Sequence, residues 1–367
     1  MMNPLEYELL TNLEDVQKFY AQAKQVGVVG LDTEFMREKT YYTELCLLQF
    51  SVSEQCFLLD AIAFQENHQV KQVIQDLLSD AQIVKVLHSC FQDIQVLSYD
   101  FDVVPKSVFD TQVAAGFCGY DGQIGYANLV SKVFDVELDK SHTRTNWKLR
   151  PLSEEQLNYA ANDVLYLHGL YSKFLLKLQE NQKFEWFLEE SENIVTAAVE
   201  GLDAEFSYKR LNGSHLSPPK QALLIFLAQT REKYAQYKNI PRTWVLKDAD
   251  LYDLANLFPE SLDDLKALDV KSGFIRHNAN DIVNFVREVD DDVEPFWSLY
   301  QPLSSEQKQF VKQVSSLISH VSEDAGISRN LIANRKDIES YARNQGAKFQ
   351  FGWRANLFEN YELPVFS

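Results

Sequence analysis

Between residues 26 and 35 the chain reads VGVVGLDTEF, a short β-branched run that is broken by glycines and ends on two carboxylates one residue apart. Such a run reads as a buried strand, and its neighbours supply the cover. LCLLQFSV (45–52) and CFLLD (56–60) are apolar runs joined by the polar turn Ser53-Glu54-Gln55, a hairpin pattern. QVKQVIQDLL (69–78) carries Val70, Val73, Ile74, Leu77 and Leu78 at helical spacing. IVKVLH (83–88) is a second buried strand, and SCFQDIQVLSY (89–99) is a helix with Ser89 at its N-cap. SVFDTQVAAGF (107–117) is a short strand running into a helix capped by Asp110. A long helix opens at RPLSEEQ, where Ser153 and Gln156 form a capping-box pattern, and runs to about Gln179. A hairpin followed by strand–helix–strand–helix predicts a mixed sheet with flanking helices.

After residue ~185 the strand signals stop. Apolar positions recur at three and four, and Pro218-Pro219, Pro241, Pro259 and Pro302 punctuate short helices. The acidic run EVDDDVEP (288–295) reads as a linker dividing this helical half. At 367 residues the chain exceeds one ordinary core. The division expected is 1–180 for the α/β domain, 181–213 for a connecting helix or linker, and 214–292 and 296–367 for two all-α domains. No apolar run reaches the ~18 residues of a membrane span, and the acidic start MMNPLEYELLTNLED lacks the pattern of a signal peptide. Cys46, Cys56, Cys90 and Cys118 have no metal-ligand spacing, which predicts reduced, buried thiols and a cytoplasmic protein.

Three stretches place acids at special positions. Asp32 and Glu34 alternate with Thr33 on a strand, so they share one side, roughly 7 Å apart. Asp93 lies in the first turn of a helix, where the helix dipole favours an anion. Asp163 lies within AANDVLYLHGLY, where an unpaired buried carboxylate costs several kcal/mol, and Tyr159 precedes it by one helical turn. Like charges gathered at the mouth of a core ask for a cation between them. Taken singly, each acid has an ordinary reading as a solvated or capping residue; in this order they form a pattern.

That pattern resembles the DEDD superfamily of 3′–5′ exonucleases, whose four acids are held on a ribonuclease H-like fold. Asp32 and Glu34 match its first motif, Asp93 its second and Asp163 its third, and Tyr159 marks the tyrosine branch. DKSHTRTNWKLRPLSEEQLNYAANDVLYL (139–167) is similar to the ribonuclease D family throughout. Residues 216–289 resemble the helicase-and-ribonuclease-D C-terminal (HRDC) domain. The tail, with ISRNLIANRKDIESYARN and FGWRANLF, resembles a second, more divergent HRDC-like unit.

The resemblance implies a ribonuclease H-like α/β fold followed by two all-α HRDC-like domains. It also implies a 3′–5′ exoribonuclease that releases 5′-mononucleotides by two-metal-ion catalysis, with tRNA precursors as substrates. Four carboxylates without His or Cys suit Mg²⁺ or Mn²⁺. In the implied arrangement Asp32 bridges two ions, Glu34 and Asp163 complete the site of the attacking water, and Asp93 supports the second ion. Tyr159 orients that water, since a phenol is too weakly acidic to serve as a free base. The loop 140–150 offers Lys140, Arg144, Trp147 and Arg150 to substrate phosphates and bases, with Trp147 or Arg150 alternatively structural. His88 either faces the site or is a satisfied core histidine.

A net charge of −18 argues against nucleic acid as a partner, but the charge is uneven. Residues 206–247 hold eight Lys and Arg against one acid, Glu232, with Tyr234, Tyr237 and Trp244 interleaved. That composition suits single-stranded nucleic acid, by phosphate pairing and stacking; the plain alternative is a solvated or packing face. Two further functional readings stand beside the first. One is the same chemistry on DNA, since the acids do not read the sugar. The other is a non-catalytic RNA-binding adaptor, which would be expected to have lost an acid or Tyr159.

Overall fold

The computed structural model describes residues 6–139, 145–267, 273–299 and 301–366. The chain packs as two units, one formed by Met1–Met36, Leu45–Ala198 and Leu303–Ser367, the other by Arg37–Glu44 and Val199–Pro302.

The first unit is built on a six-stranded sheet: β1 (Tyr7–Leu9), β2 (Val28–Met36), β3 (Glu44–Val52), β4 (Gln55–Asp60), β5 (Val84–Leu87) and β6 (Val108–Asp110). Their order is β1-β4-β3-β2-β5-β6. β3 and β4 pair antiparallel as a hairpin with Val52 opposite Gln55. β1 with β4, β2 with β5, and β5 with β6 pair parallel. The sheet is therefore mixed, as the alternation of patterns predicts. The apolar positions of the central strands, Val29 and Leu31 on β2 and Leu48 and Phe50 on β3, are fully buried.

Among the described residues up to 200, the helices that accompany the sheet are α1 (Leu13–Val26), α2 (His68–Ser79), α3 (Phe91–Phe101), α4 (Thr111–Phe117), α5 (Tyr126–Phe134), α6 (Glu154–Leu165), α7 (Leu167–Glu180) and α8 (Phe184–Glu200). Gly27, at φ +74°, closes α1 in the left-handed conformation and turns the chain into β2. The cap expected at Ser89 is absent. Ser89 adopts φ +58°, and the Asp110 carboxylate instead accepts from the backbone N–H of Ser89 and Cys90. The same carboxylate accepts from Gln112 and Val113, so one acid serves the start of α3 and the start of α4. The long helix expected from Ser153 to Gln179 opens on the predicted capping box but breaks at Tyr166 into α6 and α7.

The segment expected to form a separate second HRDC-like domain, 296–367, packs from Leu303 onward into the same unit as the sheet. Phe310, Val314, Ile318, Phe349 and Trp353 share one core with Phe117, Leu170 and Phe187. The Trp353 ring lies 4.9 Å from that of Phe117, and its indole N–H donates to Glu190 at 3.1 Å. Arg354 pairs with the same buried carboxylate at 2.7 Å. Ser328 N–H donates to the Gly116 carbonyl at 2.7 Å. Burying side chains of this size contributes roughly 1.5–3 kcal/mol each, so the tail is part of the first unit's stability.

The second unit is helical, with Pro218–Lys238, Asp248–Leu257 and Gly273–Glu288 as its main helices. They enclose a core that includes Leu223, Leu227, Leu251, Leu254, Phe274 and Ile282. Tyr41 belongs to this core: its hydroxyl donates to the buried Glu232 carboxylate at 2.5 Å, which Arg210 and Arg242 also engage. All four cysteines are buried and none forms a disulfide. Among the described residues no helix is long and apolar enough to cross a membrane.

Candidate active site

The polar end of VGVVGLDTEF is not where the strand stops. β2 continues to Met36, so Asp32 and Glu34 sit inside the strand with side chains on one side. Asp163, on α6, faces them. One carboxylate oxygen from each of Asp32, Glu34 and Asp163 lies within 4.8 Å of the others. These three acids line a cavity of about 220 Å³ together with His88, Tyr126, Tyr159 and Leu167. Gly30 makes this approach possible. A Cβ there would lie 2.2 Å from Ser51 Oγ and 3.0 Å from Leu167 Cβ, so only glycine lets α7 start directly over β2.

Asp93 stands beside this trio. It is buried in the first turn of α3, and its carboxylate takes the hydroxyl and backbone N–H of Thr33, the residue between Asp32 and Glu34. Tyr159 hydrogen-bonds to Asp163 one turn on.

The electrostatics follow from burial and like charge. Loss of water, then repulsion from Asp93, Asp163 and Glu34, holds Asp32 well above the usual carboxylate range. Burial, then repulsion from Asp163 and Asp93, pushes Glu34 to about 9. Burial raises Asp93 to about 7 against the opposing hydrogen bond from Thr33, and Asp163 to about 7 against that from Tyr159. Burial and mutual repulsion thus favour the neutral form of these carboxyls. An all-oxygen donor set under such repulsion fits a hard divalent cation, which supplies the missing positive charge.

The residues expected to hold substrate divide three ways. Lys140 and Arg144 lie outside the described residues. Trp147 is buried, 2% exposed, with its ring 6.2 Å from that of Tyr159; it backs the site and has no face for a base to stack on. Arg150 is structural. Its Nε and Nη2 bind Asp60 at 2.6 and 2.7 Å, Nη2 also reaches the Cys46 carbonyl, and Nη1 reaches the carbonyls of Trp147 and Leu149. Burial pushes the Asp60 carboxyl up, but Arg150 and two backbone N–H groups outweigh it and hold it below its ordinary range. A guanidinium so fully engaged has nothing left for a phosphate.

His88 both lines the cavity and is satisfied, with one ring nitrogen on Thr111 Oγ1 and the other on the Ile124 carbonyl, each at 2.9 Å. Tyr126 and Leu167 also line the cavity, and sequence reasoning does not find them. Both are apolar-face residues of helices, and only the tertiary packing turns them toward the acids.

The basic stretch 206–247 is less positive than its composition suggests. Arg231 is buried, 3% exposed, and pairs with Asp248 at 2.7 Å. Lys209 pairs with Glu200, Lys233 with Glu205, and Arg210 and Arg242 with Glu232. Three of those acids lie just outside the stretch. Tyr237 and Trp244 remain exposed, at 81% and 61%, with Lys238 against the Tyr237 ring.

Comparison with known proteins agrees with this geometry. Residues 7–179 match the 3′–5′ exonuclease family and residues 220–286 the HRDC domain. The chain is 31% identical to ribonuclease D of Bartonella henselae, over 96% of this chain and 88% of that one. It is 32% identical to ribonuclease D of Serratia proteamaculans, over 91% of this chain and 90% of that one. The crystal structure of Escherichia coli RNase D, described as an exoribonuclease involved in structured RNA processing, superposes with a TM-score of 0.79 at 27% identity. It covers 98% of this chain and 100% of that one. The acids on a mixed sheet, the helical HRDC region and full-length relatives agree: this chain belongs to the ribonuclease D family of 3′–5′ exoribonucleases.

Proposed function

We propose that the protein trims RNA from a free 3′ end to 5′-mononucleotides, using two divalent cations, Mg²⁺ or Mn²⁺, held by Asp32, Glu34, Asp163 and Asp93, and that tRNA precursors are among its substrates. The observation that carries this is the convergence of three carboxylates within 4.8 Å, each held above its ordinary range by burial, with repulsion from neighbouring acids added at Asp32 and Glu34. When bound, such ions supply an activated water and neutralise charge on the departing 3′ oxygen.

The chain's own residues do the rest. The paired acids of β2 and Asp163 of α6 fix the oxygen donors on two rigid elements. Tyr159, hydrogen-bonded to Asp163 and lining the cavity, orients the attacking water through its hydroxyl oxygen. Leu167, His88 and Tyr126 wall the cavity and limit entry of bulk water. A cavity of about 220 Å³ suits the end of one strand, which supports exonucleolytic rather than internal cleavage. In the helical unit, Tyr237, Lys238 and Trp244 offer stacking surfaces and a cation to single-stranded RNA. We place the enzyme in the cytoplasm, a setting that suits four buried, unbridged cysteines.

The test is a matched pair of labelled RNA and DNA oligonucleotides, each incubated with Mg²⁺, Mn²⁺ or chelator, and a circular RNA control. Metal-dependent one-nucleotide steps from the RNA 3′ end are expected. Cleavage of the circle, or full activity in chelator, would contradict the proposal.

A further inference from the structure

The break between α6 and α7 has a specific cause that lies beside the acids. In a regular helix the N–H of residue 166 donates directly to the carbonyl of residue 162. Here the Tyr126 hydroxyl stands in that rung. It accepts from Tyr166 N–H at 3.2 Å and donates to the Asn162 carbonyl at 3.2 Å. A side chain inserted into the ladder is one of the recognised causes of a kink. Two neighbouring carbonyls of the same turn are taken by the sheet, Val164 by Ser51 Oγ at 2.7 Å and Ala161 by Cys56 Sγ at 3.5 Å. The opened turn therefore leaves none of these groups without a partner.

Asp163 is the residue that follows Asn162, inside the span that the phenol holds open. Tyr126 is the first residue of α5, and its ring is fixed beside His88, with centroids 5.6 Å apart. His88 is itself tied to the Ile124 carbonyl. The hydroxyl is thus presented from a rigid support to one turn of one helix.

We propose that Tyr126 is a positioning residue: by opening the 162–166 rung it sets the Asp163 carboxylate against Asp32 and Glu34. This rests on the reading that those three acids hold divalent cations. Without the hydroxyl, Asn162 carbonyl and Tyr166 N–H are free to bond each other directly, the helix closes, and the turn bearing Asp163 shifts away from β2. Supporting groups of this kind are worth about 10–100-fold in metal affinity or activity.

The experiment uses the full chain with Tyr126→Phe, which keeps the ring and deletes one oxygen. Mn²⁺ binding is measured by calorimetry without RNA at pH 8, and turnover on a short labelled single-stranded RNA is measured beside it. We expect Mn²⁺ affinity about 10-fold weaker, kcat lowered about 10–100-fold, and KM for RNA within about twofold. Ser51→Ala, which loosens the same turn but leaves the phenol in the rung, is expected to retain parental Mn²⁺ affinity. Should Tyr126→Phe not fold, Tyr126→Met also lacks the hydroxyl and carries the same expectation. Parental Mn²⁺ affinity and kcat in a folded variant lacking the hydroxyl would overturn the inference, and would leave the phenol a purely structural tie. A parent that binds no Mn²⁺ would instead overturn the reading of the acids.

Discussion

Replacing Asp163 with Asn should stabilise the metal-free protein at high pH while abolishing hydrolysis. The folded state holds this carboxyl at about 7, against 3.8 for an ordinary aspartate, first because it is buried. Such a rise corresponds to ~4 kcal/mol against the ionised form. Solvent reaches the half-buried group and screens part of that, leaving roughly 1–2 kcal/mol of destabilisation. The sign follows from proton counts. Below the unfolded value both states are protonated and no penalty exists. As pH rises from about 4 to 7 the unfolded chain releases its proton first, so folding loses stability; above 7 the loss is complete. Asn cannot ionise, and its side-chain carbonyl still accepts from Tyr159.

In chelator, Asp163→Asn should therefore melt close to the parent at pH 4.5 and about 1–3 °C above it at pH 8.5, at roughly 1–1.5 °C per kcal/mol for a chain of this size. Adding Mn²⁺ at pH 8.5 should raise the melting temperature of the parent, by ~2.7 kcal/mol of stability at a hundredfold excess over Kd, and that of the variant far less. Scanning fluorimetry reads all these conditions. A variant less stable than the parent at pH 8.5 in chelator, or equally stabilised by Mn²⁺, would refute the picture of repelling carboxylates relieved by cations.

Four further outcomes are expected. Protons compete with cations for Asp32, Glu34 and Asp163, so apparent Mn²⁺ affinity should increase from pH 6 to pH 9; a flat profile by calorimetry would contradict the raised values at Glu34 and Asp163. Arg150→Ala should cost about 2–4 kcal/mol in urea unfolding, because it strands Asp60 and three carbonyls, and Arg150→Lys should not rescue it; weakened RNA binding at unchanged stability would return Arg150 to the substrate. Arg231→Glu should destabilise the helical unit by roughly 3–5 kcal/mol, whereas Lys238→Glu should leave stability intact and lower the salt slope of RNA binding by about 1. A chain ended near Gln182 keeps every acid of the site yet should aggregate, since Phe117 and Leu170 lose Trp353 and its neighbours; a soluble, active fragment by size exclusion and RNA assay would disprove this.

Local patterns carried the sheet, the hairpin at Ser53, the Asp110 cap and the grouping of Asp32, Glu34 and Asp163, because each depends on alternation, on turn chemistry or on where an acid sits within an apolar run. What stayed hidden depends on partners distant in sequence. Apolar periodicity runs unbroken through Leu165, Leu167 and Leu170, so nothing near Tyr166 announces a break made by a hydroxyl 40 residues earlier. Arg150 looks like a loop cation until Asp60 is brought to it. The stretch 206–247 looks basic because Glu200, Glu205 and Asp248 fall just beyond its ends. The tail is set apart by the acidic run before it and by its motifs' resemblance to an HRDC-like unit, neither of which says whose core its apolar faces join.

The split of the first unit between Leu45–Ala198 and Leu303–Ser367 also sets a timetable for biosynthesis. A ribosome that has passed Gln182 has delivered all five residues of the site but not the tryptophan that covers Phe117. At about 5–20 residues per second, Trp353 follows on the order of ten seconds or more later. During that interval the Phe117 face of α4 waits uncovered while the helical unit, made in between, is free to collapse by itself. Full packing of the nuclease core then depends on a stretch of chain that emerges only after the helical unit. An interrupted translation product carries the acids without the packing that holds their scaffold, and is a candidate for proteolysis before it can bind RNA.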